Sequence, residues 1–439
     1  MQLIQNWLPY NETILFNFSD KYFKESGKAV FSNEGKSHKH VVPNGMTNSK
    51  AHARSFAKFI SDNLDNYPQD QKIKILEVGS GAGIYARNFL LCAREMNFLD
   101  RIEYLVTEYS RVGLQQIKES KVLSEFQENV NYRFVYLDIL NPDLAEDIDG
   151  KPYKLENLSA TILNYILCVL PATVVRKSKN GNIQQLLMRF KEPADNKEDL
   201  GYLESLQYEE SWKGYFIENE PEVEKKYFDI LKQSLEIDSG CPFEFYAYGS
   251  LLALENILNR STENAFIFIA EMPRIKGTKQ PFKAYGLSIA NPINDKLITN
   301  FVKSKNLNLI YSTDPHYPLT RMFILKNPSL EEQFKKRFTQ EYIENNDSNL
   351  ILELRNMAQQ FKSKHSCLMM KKLLDKLLEI DNSSFESNWL LANYFYLSGD
   401  FEQARSHFQK AKELDYLNNI SGNVLLEKKF LEVQHESAR

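Results

Sequence analysis

The sequence predicts an α/β fold, in which a mainly parallel sheet carries helices on both faces and an all-helical C-terminal segment follows. Three observations predict it. An apolar run at Ile73, Ile75, Leu76 and Val78 leads into Gly79-x-Gly81-x-Gly83, after which a helical pattern starts. Strand-like and amphipathic stretches alternate across residues 71–170, as βα units require. From residue 329 onward the periodicity is helical and no strand-like run occurs.

In chain order, residues 1–70 read as an N-terminal helical and lid segment. Asn11–Tyr22 has the pattern of a short helix and turn. Residues 28–48 are polar, and with Asn44, Thr47 and Ser49 they read as a loop that folds over a ligand. Ala53, Phe56, Phe59, Ile60 and Leu64 lie at helical spacing within 49–65. The alternation then predicts strands at 73–78, 102–107, 132–137 and 159–164, with helices at 84–96 and 111–120. The pattern breaks across 172–262, an insertion with a β-ribbon (174–177, 186–190) and helices near 219–235 and 249–259. Residues 265–271 are apolar throughout, as a strand buried on both faces should be. A helix at 295–305 and a hairpin pair (307–311, 321–325) close this part at residue 328.

Residues 329–439 read as a separate helical domain. Leu-Glu-Ile-Asp ending at Asp381 recurs as Lys-Glu-Leu-Asp ending at Asp415, 34 positions on. Ala392, Phe395, Gly399, Ala404, Phe408 and Ala411 resemble one tetratricopeptide repeat. Ala358, Phe361, Met370 and Leu374 match a preceding unit loosely.

Composition narrows the function classes. At 439 residues and 43% hydrophobic, two or three domains with real cores are expected. A net charge of −4 makes no case for nucleic acid or an anionic membrane. No apolar run is long enough for a membrane span. Cys92, Cys168, Cys241 and Cys367 are scattered, so they read as buried thiols and not as disulfides or a zinc site. No secretory signal or basic presequence is seen, and a cytoplasmic location is expected. His38 and His40 read as a solvated loop, and no metal is expected. The dense aromatics Trp212, Tyr215, Phe216, Phe243, Phe245, Tyr246 and Tyr248 read as core before pocket lining.

The glycine loop has three candidate ligands. No Lys-Ser or Lys-Thr follows it, which argues against a nucleoside triphosphate. The sixth position from Gly79 is Ile84, where a dinucleotide site needs glycine for close helix–strand packing. Glu108 and Asp138 end the next two strands, and in open α/β sheets ligands sit at those carboxyl ends.

Glu77-x-Gly79-x-Gly81-x-Gly83 resembles the first motif of class I methyltransferases that use S-adenosylmethionine. The resemblance implies a Rossmann-like seven-stranded methyltransferase sheet over 71–328, with 172–262 inserted on the acceptor side. It implies cofactor contacts from Glu77, Gly79, Ser80, Gly81, Gly83, Glu108, Tyr109, Asp138, Ile139 and Asn164. Glu108 would accept the ribose hydroxyls, and Asp138 would lie near the adenine amino group. Glu108-Tyr-Ser110 followed by Gln115 resembles the MidA-like family, relatives of the mitochondrial complex I assembly arginine methyltransferase. Asn164-Tyr-Ile-Leu-Cys-Val-Leu-Pro171 and Val174-Val-Arg176 stand where that family has Asn-Glu-x-x-Asp-Ala-Leu-Pro and a β-ribbon. Tyr165 and Cys168 thus replace two acidic residues that a guanidinium acceptor would want. After the fifth strand, Glu271-Met-Pro273 replaces Asp-Tyr-Gly. Asn164 and Tyr165 are the expected acceptor-side, catalytic residues. The implied function is methyl transfer to a protein or peptide recruited through the C-terminal helices, which could also form a homodimer. The alternatives are a small-molecule methyltransferase and a non-catalytic cofactor-binding assembly protein.

Overall fold

The computed structural model describes residues 2–31, 47–192, 202–235, 242–272, 281–312, 319–344, 364–381 and 384–416. The N-terminal part holds β1 (Gln2–Pro9), α1 (Ile14–Ser26) and α2 (Lys50–Asp62). Then come β2 (Ile73–Val78), α3 (Ile84–Glu95), β3 (Ile102–Glu108), α4 (Arg111–Glu119), β4 (Tyr132–Tyr136), β5 (Glu146–Asp147) and β6 (Leu158–Asn164). The inserted stretch contributes β7 (Thr173–Lys177), β8 (Ile183–Glu192), α5 (Tyr202–Ser205), β9 (Gln207–Gly214), α6 (Glu222–Ser234), β10 (Glu244–Tyr246) and α7 (Tyr248–Asn259). The chain continues through β11 (Ser261–Glu271), the hairpin β12 (Lys283–Tyr285) and β13 (Ser288–Ala290), α8 (Asp295–Ser304), β14 (Asn308–Tyr311) and β15 (Thr320–Leu325). It ends in α9 (Glu331–Phe338), a wide turn (Thr339–Glu344), α10 (Lys364–Ile380), α11 (Phe385–Ser398) and α12 (Phe401–Glu413).

The main sheet runs β14-β15-β11-β6-β2-β3-β4-β5. Strands β11, β6, β2, β3 and β4 are mutually parallel, and β15 is antiparallel to both its neighbours. Eight strands stand where seven were expected. The extra one, β5, is a two-residue edge piece antiparallel to β4, too short and too charged to signal itself. From β2 the chain builds outward through β3 and β4, then crosses back to β6 and β11 on the other side. This reversal leaves a crevice at the carboxyl ends of β2 and β6.

The second sheet corrects the reading of the N-terminus. Residues 2–9 are a strand, which pairs antiparallel with β8 in the order β1-β8-β7-β10, while β9 also pairs with β8. β1 and β9 escape pattern reading because they are edge strands with mixed faces. β9 is held to β8 by Arg189 and Lys191, both paired with Glu209, and Arg176 lies 4.2 Å over the Trp212 ring. The dense aromatics of this region are mostly core: Tyr215, Phe243, Phe245, Tyr246 and Tyr248 are buried, whereas Phe216 is exposed.

One face of the main sheet is sealed by an aromatic block from distant parts of the chain. Phe59 of α2 meets Phe323 of β15 at 4.3 Å between centroids, and Phe268 of β11 meets Phe323 at 4.7 Å. Phe334, Phe338 and Tyr342 join the same core, so residues 331–344 pack with the sheet. Each such ring contributes roughly 1.5–3 kcal/mol by burial. Arg337 clamps Asp62 through two hydrogen bonds of 2.6 and 2.8 Å. Beyond, Ala392 and Ala404 pack α11 against α12 across Gly399, whose φ is 82°. Leu374, Leu377, Leu390 and Leu391 cover Ala51 of α2. The loose first repeat unit at Ala358 and Phe361 lies outside the described residues, as do His38, His40, Asn44 and most of the expected lid.

Candidate functional site

A cavity of about 670 Å³ opens at the crevice, within the range of roughly 300–1,000 Å³ usual for ligand pockets. Its floor is the turn after β2. Gly79, Gly81 and Gly83 all take left-handed φ values, 68°, 61° and 73°. At Gly79 a Cβ would sit 2.5 Å from Ile166 Cδ1, the movable tip of a side chain on the cavity wall, so it is the left-handed φ more than the close approach that favours glycine there. Ser80 ties the turn to β3: its N–H donates to Thr107 O at 2.7 Å and its Oγ accepts from Thr107 N–H at 3.1 Å. Gly79, Ser80 and Gly81 line the cavity, but Gly83 does not, because it starts α3 instead.

Four carboxylates reach the wall, and each is engaged. Glu77 accepts from Tyr104 Oη at 3.1 Å, and burial pushes its carboxyl up to about 7. Glu108 spans the junction of loop and strand: Oε1 accepts from Gly81 N–H at 2.6 Å and Oε2 from Tyr109 N–H at 3.1 Å. Burial pushes it, too, up to about 7. Asp20, from α1, accepts from Tyr109 Oη at 2.9 Å and pairs with Lys24 at 3.0 Å. Asp138 is turned back on its own chain, accepting from Leu140 N–H at 2.9 Å and Asn141 Nδ2 at 2.8 Å. Ile139 lies beside it on the wall.

The other side of the cavity comes from the ends of β6 and β11 and from the β12–β13 hairpin. Asn164 and Tyr165 both line it. His52 of α2, fully buried, lies with Nε2 3.3 Å from Asn164 Oδ1. Burial and the Arg321 charge push His52 down to about 3, so the ring is neutral. A proton on Nδ1 would be a buried donor without a partner, whereas on Nε2 it is donated to Asn164 Oδ1. With Oδ1 held by His52, the amide NH₂ is the group of Asn164 left for a ligand in the cavity that it lines. Tyr165 has φ 56°, a left-handed backbone rare for an aromatic residue and costing about 1–3 kcal/mol. Burial raises its hydroxyl pKa, which opposes a general-base role for this expected catalytic residue. Cys168 is buried with Tyr285 and Ala290, and burial raises its thiol pKa.

Sequence reasoning missed Asp20, Phe31, Lys283 and His52. His52 had a signal only in hindsight, as one of three polar residues, with Lys50 and Ser55, buried on α2. Glu271 was noticed as a departure and not as a support. It is fully buried, and its Oε1 accepts from Leu167 N–H at 2.6 Å, holding up the Asn164–Pro171 loop.

No family profile and no curated protein matches the chain. Among solved structures it is similar to a protein of Burkholderia thailandensis bound to S-adenosyl-homocysteine and named as a candidate methyl transferase. That pair is 12% identical, covers 70% of this chain and 74% of the other, and has a TM-score of 0.45. An uncharacterized protein of the same organism follows at 11% identity, covering 70% and 73%, with a TM-score of 0.43. The CurJ carbon methyltransferase is 9% identical, covering 64% and 56%, with a TM-score of 0.34. Among the described residues no helix is long and apolar enough to cross a membrane, and no cluster of side chains could hold a metal ion.

Proposed function

We propose that the chain is a class I S-adenosylmethionine-dependent methyltransferase with a Rossmann-like sheet. The observation that carries this reading is the joint position of the glycine turn and Glu108. A carboxylate at the end of β3 is hydrogen-bonded to Gly81 N–H and lines the same cavity as the turn. Such a carboxylate suits two vicinal ribose hydroxyls, and the bare turn suits a tail lying against backbone. Glu77, Gly79, Ser80, Gly81, Tyr109, Asp138, Ile139 and Asn164 are the remaining candidate contacts, with Gly83 shaping the turn from behind. The cofactor supplies a methyl group on a sulfonium; the chain supplies alignment and exclusion of water.

A small-molecule acceptor is favoured over a protein or peptide one. Tyr165 and Cys168, which stand where the MidA-like pattern is acidic, both line the cavity and present no charge to a guanidinium. The tetratricopeptide-like pair α11–α12 then acts chiefly as a brace. Its support is that α10 and α11 together cover Ala51, one residue from His52.

Calorimetry with S-adenosylhomocysteine tests the proposal directly. Glu108→Ala is expected to weaken binding by about 1–3 kcal/mol through loss of a charge-assisted pair. Absence of binding to the unaltered protein would refute methyl transfer, and wild-type affinity in the variant would refute the ribose assignment.

A further inference from the structure

The hydrogen-bonding groups at the two ends of the cavity differ in kind. All four carboxylates on the wall are already engaged, by Tyr104, by Gly81 and Tyr109, by Tyr109 and Lys24, and by Leu140 and Asn141. The nearest further one, Glu271, lies beneath the Tyr165–Cys168 loop, fully buried and not on the wall. The donors are in the opposite state. Asn164 presents its NH₂, Tyr165 Oη has no hydrogen-bond partner among the described residues, and Lys283 has no ion-pair partner among them. Lys283 Nζ is held 4.9 Å over the Tyr285 ring, which orients the ammonium at the cavity edge. Between these donors the wall is apolar, from Leu170, Met272 and Ile289. Tyr165 and the hairpin that carries Lys283 pack together beyond the ends of β6 and β11, and Asn164, also a candidate cofactor contact, stands between them and the glycine turn.

We propose that the methyl acceptor is a small, largely apolar molecule carrying an anionic oxygen, received by Lys283, Tyr165 and Asn164. This rests on the methyltransferase reading above and names the acceptor class for the same site. Uncommitted donors stabilise an anionic oxygen, since charge-assisted bonds are about twice as strong as neutral ones, and the exposed Lys283 adds its charge at the mouth. An ammonium or guanidinium acceptor would meet a lysine, and the carboxylates on the described wall already hold other partners. A buried cation left unpaired in this way is disfavoured.

The full-length protein, saturated with S-adenosylhomocysteine, should be titrated by calorimetry with 2-naphthoate and with 2-naphthylmethylammonium, which share a ring system and differ in charge. 2-Naphthoate is expected to bind more tightly by about tenfold or more, the worth of one charge-assisted contact. Lys283→Met should abolish most of that preference and Lys283→Arg should retain it, with S-adenosylhomocysteine affinity unchanged in both. Equal or tighter binding of the ammonium, no binding of either probe, or a preference untouched by Lys283→Met would each overturn the proposal. Failure of S-adenosylhomocysteine itself to bind would instead overturn the methyltransferase reading, and this assignment with it.

Discussion

The cavity has two walls built on different principles. The wall at the ends of β2, β3 and β4 is made of backbone and carboxylates, each fixed by a local hydrogen bond. The wall at the ends of β6 and β11 is made of neutral or cationic donors and apolar side chains drawn from three separated segments. The first wall is specified by chain geometry: a turn that only glycine can make, and acids at strand ends. The second is specified by what tertiary packing brings together. A ligand common to many proteins can be served by the first kind of wall, whereas selectivity belongs to the second.

The largest effect separates architecture from contact within the first wall. A Cβ at Gly83 would lie 2.7 Å from Ile117 Cγ2 and 3.0 Å from Val122 Cγ1, on a backbone with φ 73°. Left-handed strain and overpacking together predict a loss of about 2–4 kcal/mol of stability for Gly83→Ala. Urea unfolding checks this, and S-adenosylhomocysteine affinity should hardly move, because Gly83 is not on the wall. Gly79→Ala should do the reverse. Its Cβ meets the tip of Ile166, a flexible cavity-wall side chain, so stability falls less and affinity falls more. Identical behaviour of the two variants would erase the distinction.

The second wall is probed through its support. Glu271 is fully buried, and burial pushes its carboxyl up to about 7. An acid with a raised folded-state pKa is protonated in the fold while ionised in the unfolded chain, so the folded state binds more protons between about 4.5 and 7. Stability contributed by this group is therefore fully present at the acidic end of that window and is lost as pH rises through it. Glu271→Gln keeps an acceptor for Leu167 N–H but cannot ionise. It is expected to flatten the decline by on the order of 1–3 kcal/mol across the window. Thermal melts at pH 5 and pH 7.5 read the effect. An unchanged slope would mean that Glu271 stays ionised in the fold.

The two walls were unequally legible in the sequence. The strands at 73–78, 102–108 and 132–136 and the helix at 84–95 were readable to within a residue or two, because both faces of the sheet are covered and each strand is mostly apolar, with few charges such as Lys74, Glu103 and Arg133. Glu108 was readable because a strand end followed by a helix cap is a local pattern. Edge elements were not. β1 and β9 carry mixed, half-exposed faces and are held by pairs such as Arg189 with Glu209, whose partners lie 20 positions apart. The acceptor-side wall was legible only as a set of departures at Tyr165, Cys168 and Glu271. Lys283 and His52 acquire meaning from the fold, because His52 reaches Asn164 across 112 residues of chain.

The smallest expected effect bears on a symmetry that the sequence suggests and the geometry denies. By pattern, Glu108 and Asp138 are equivalent acids at successive strand ends. In the fold, Glu108 bridges two loops across the cavity floor, while both oxygens of Asp138 serve the turn that follows it, at Leu140 N–H and Asn141 Nδ2. An acid already satisfied by its own turn gains little from a neutral amino group, so Asp138→Ala should weaken S-adenosylhomocysteine binding by about 1 kcal/mol or less. Part of even that loss would come from loosening of the turn, and Asp138→Asn, which keeps an acceptor for Leu140 N–H, should recover it. Calorimetry on the two variants beside Glu108→Ala measures the difference. If Asp138→Ala loses as much as Glu108→Ala, the carboxylate leaves its turn to meet the ligand, and the floor of the cavity rearranges on binding.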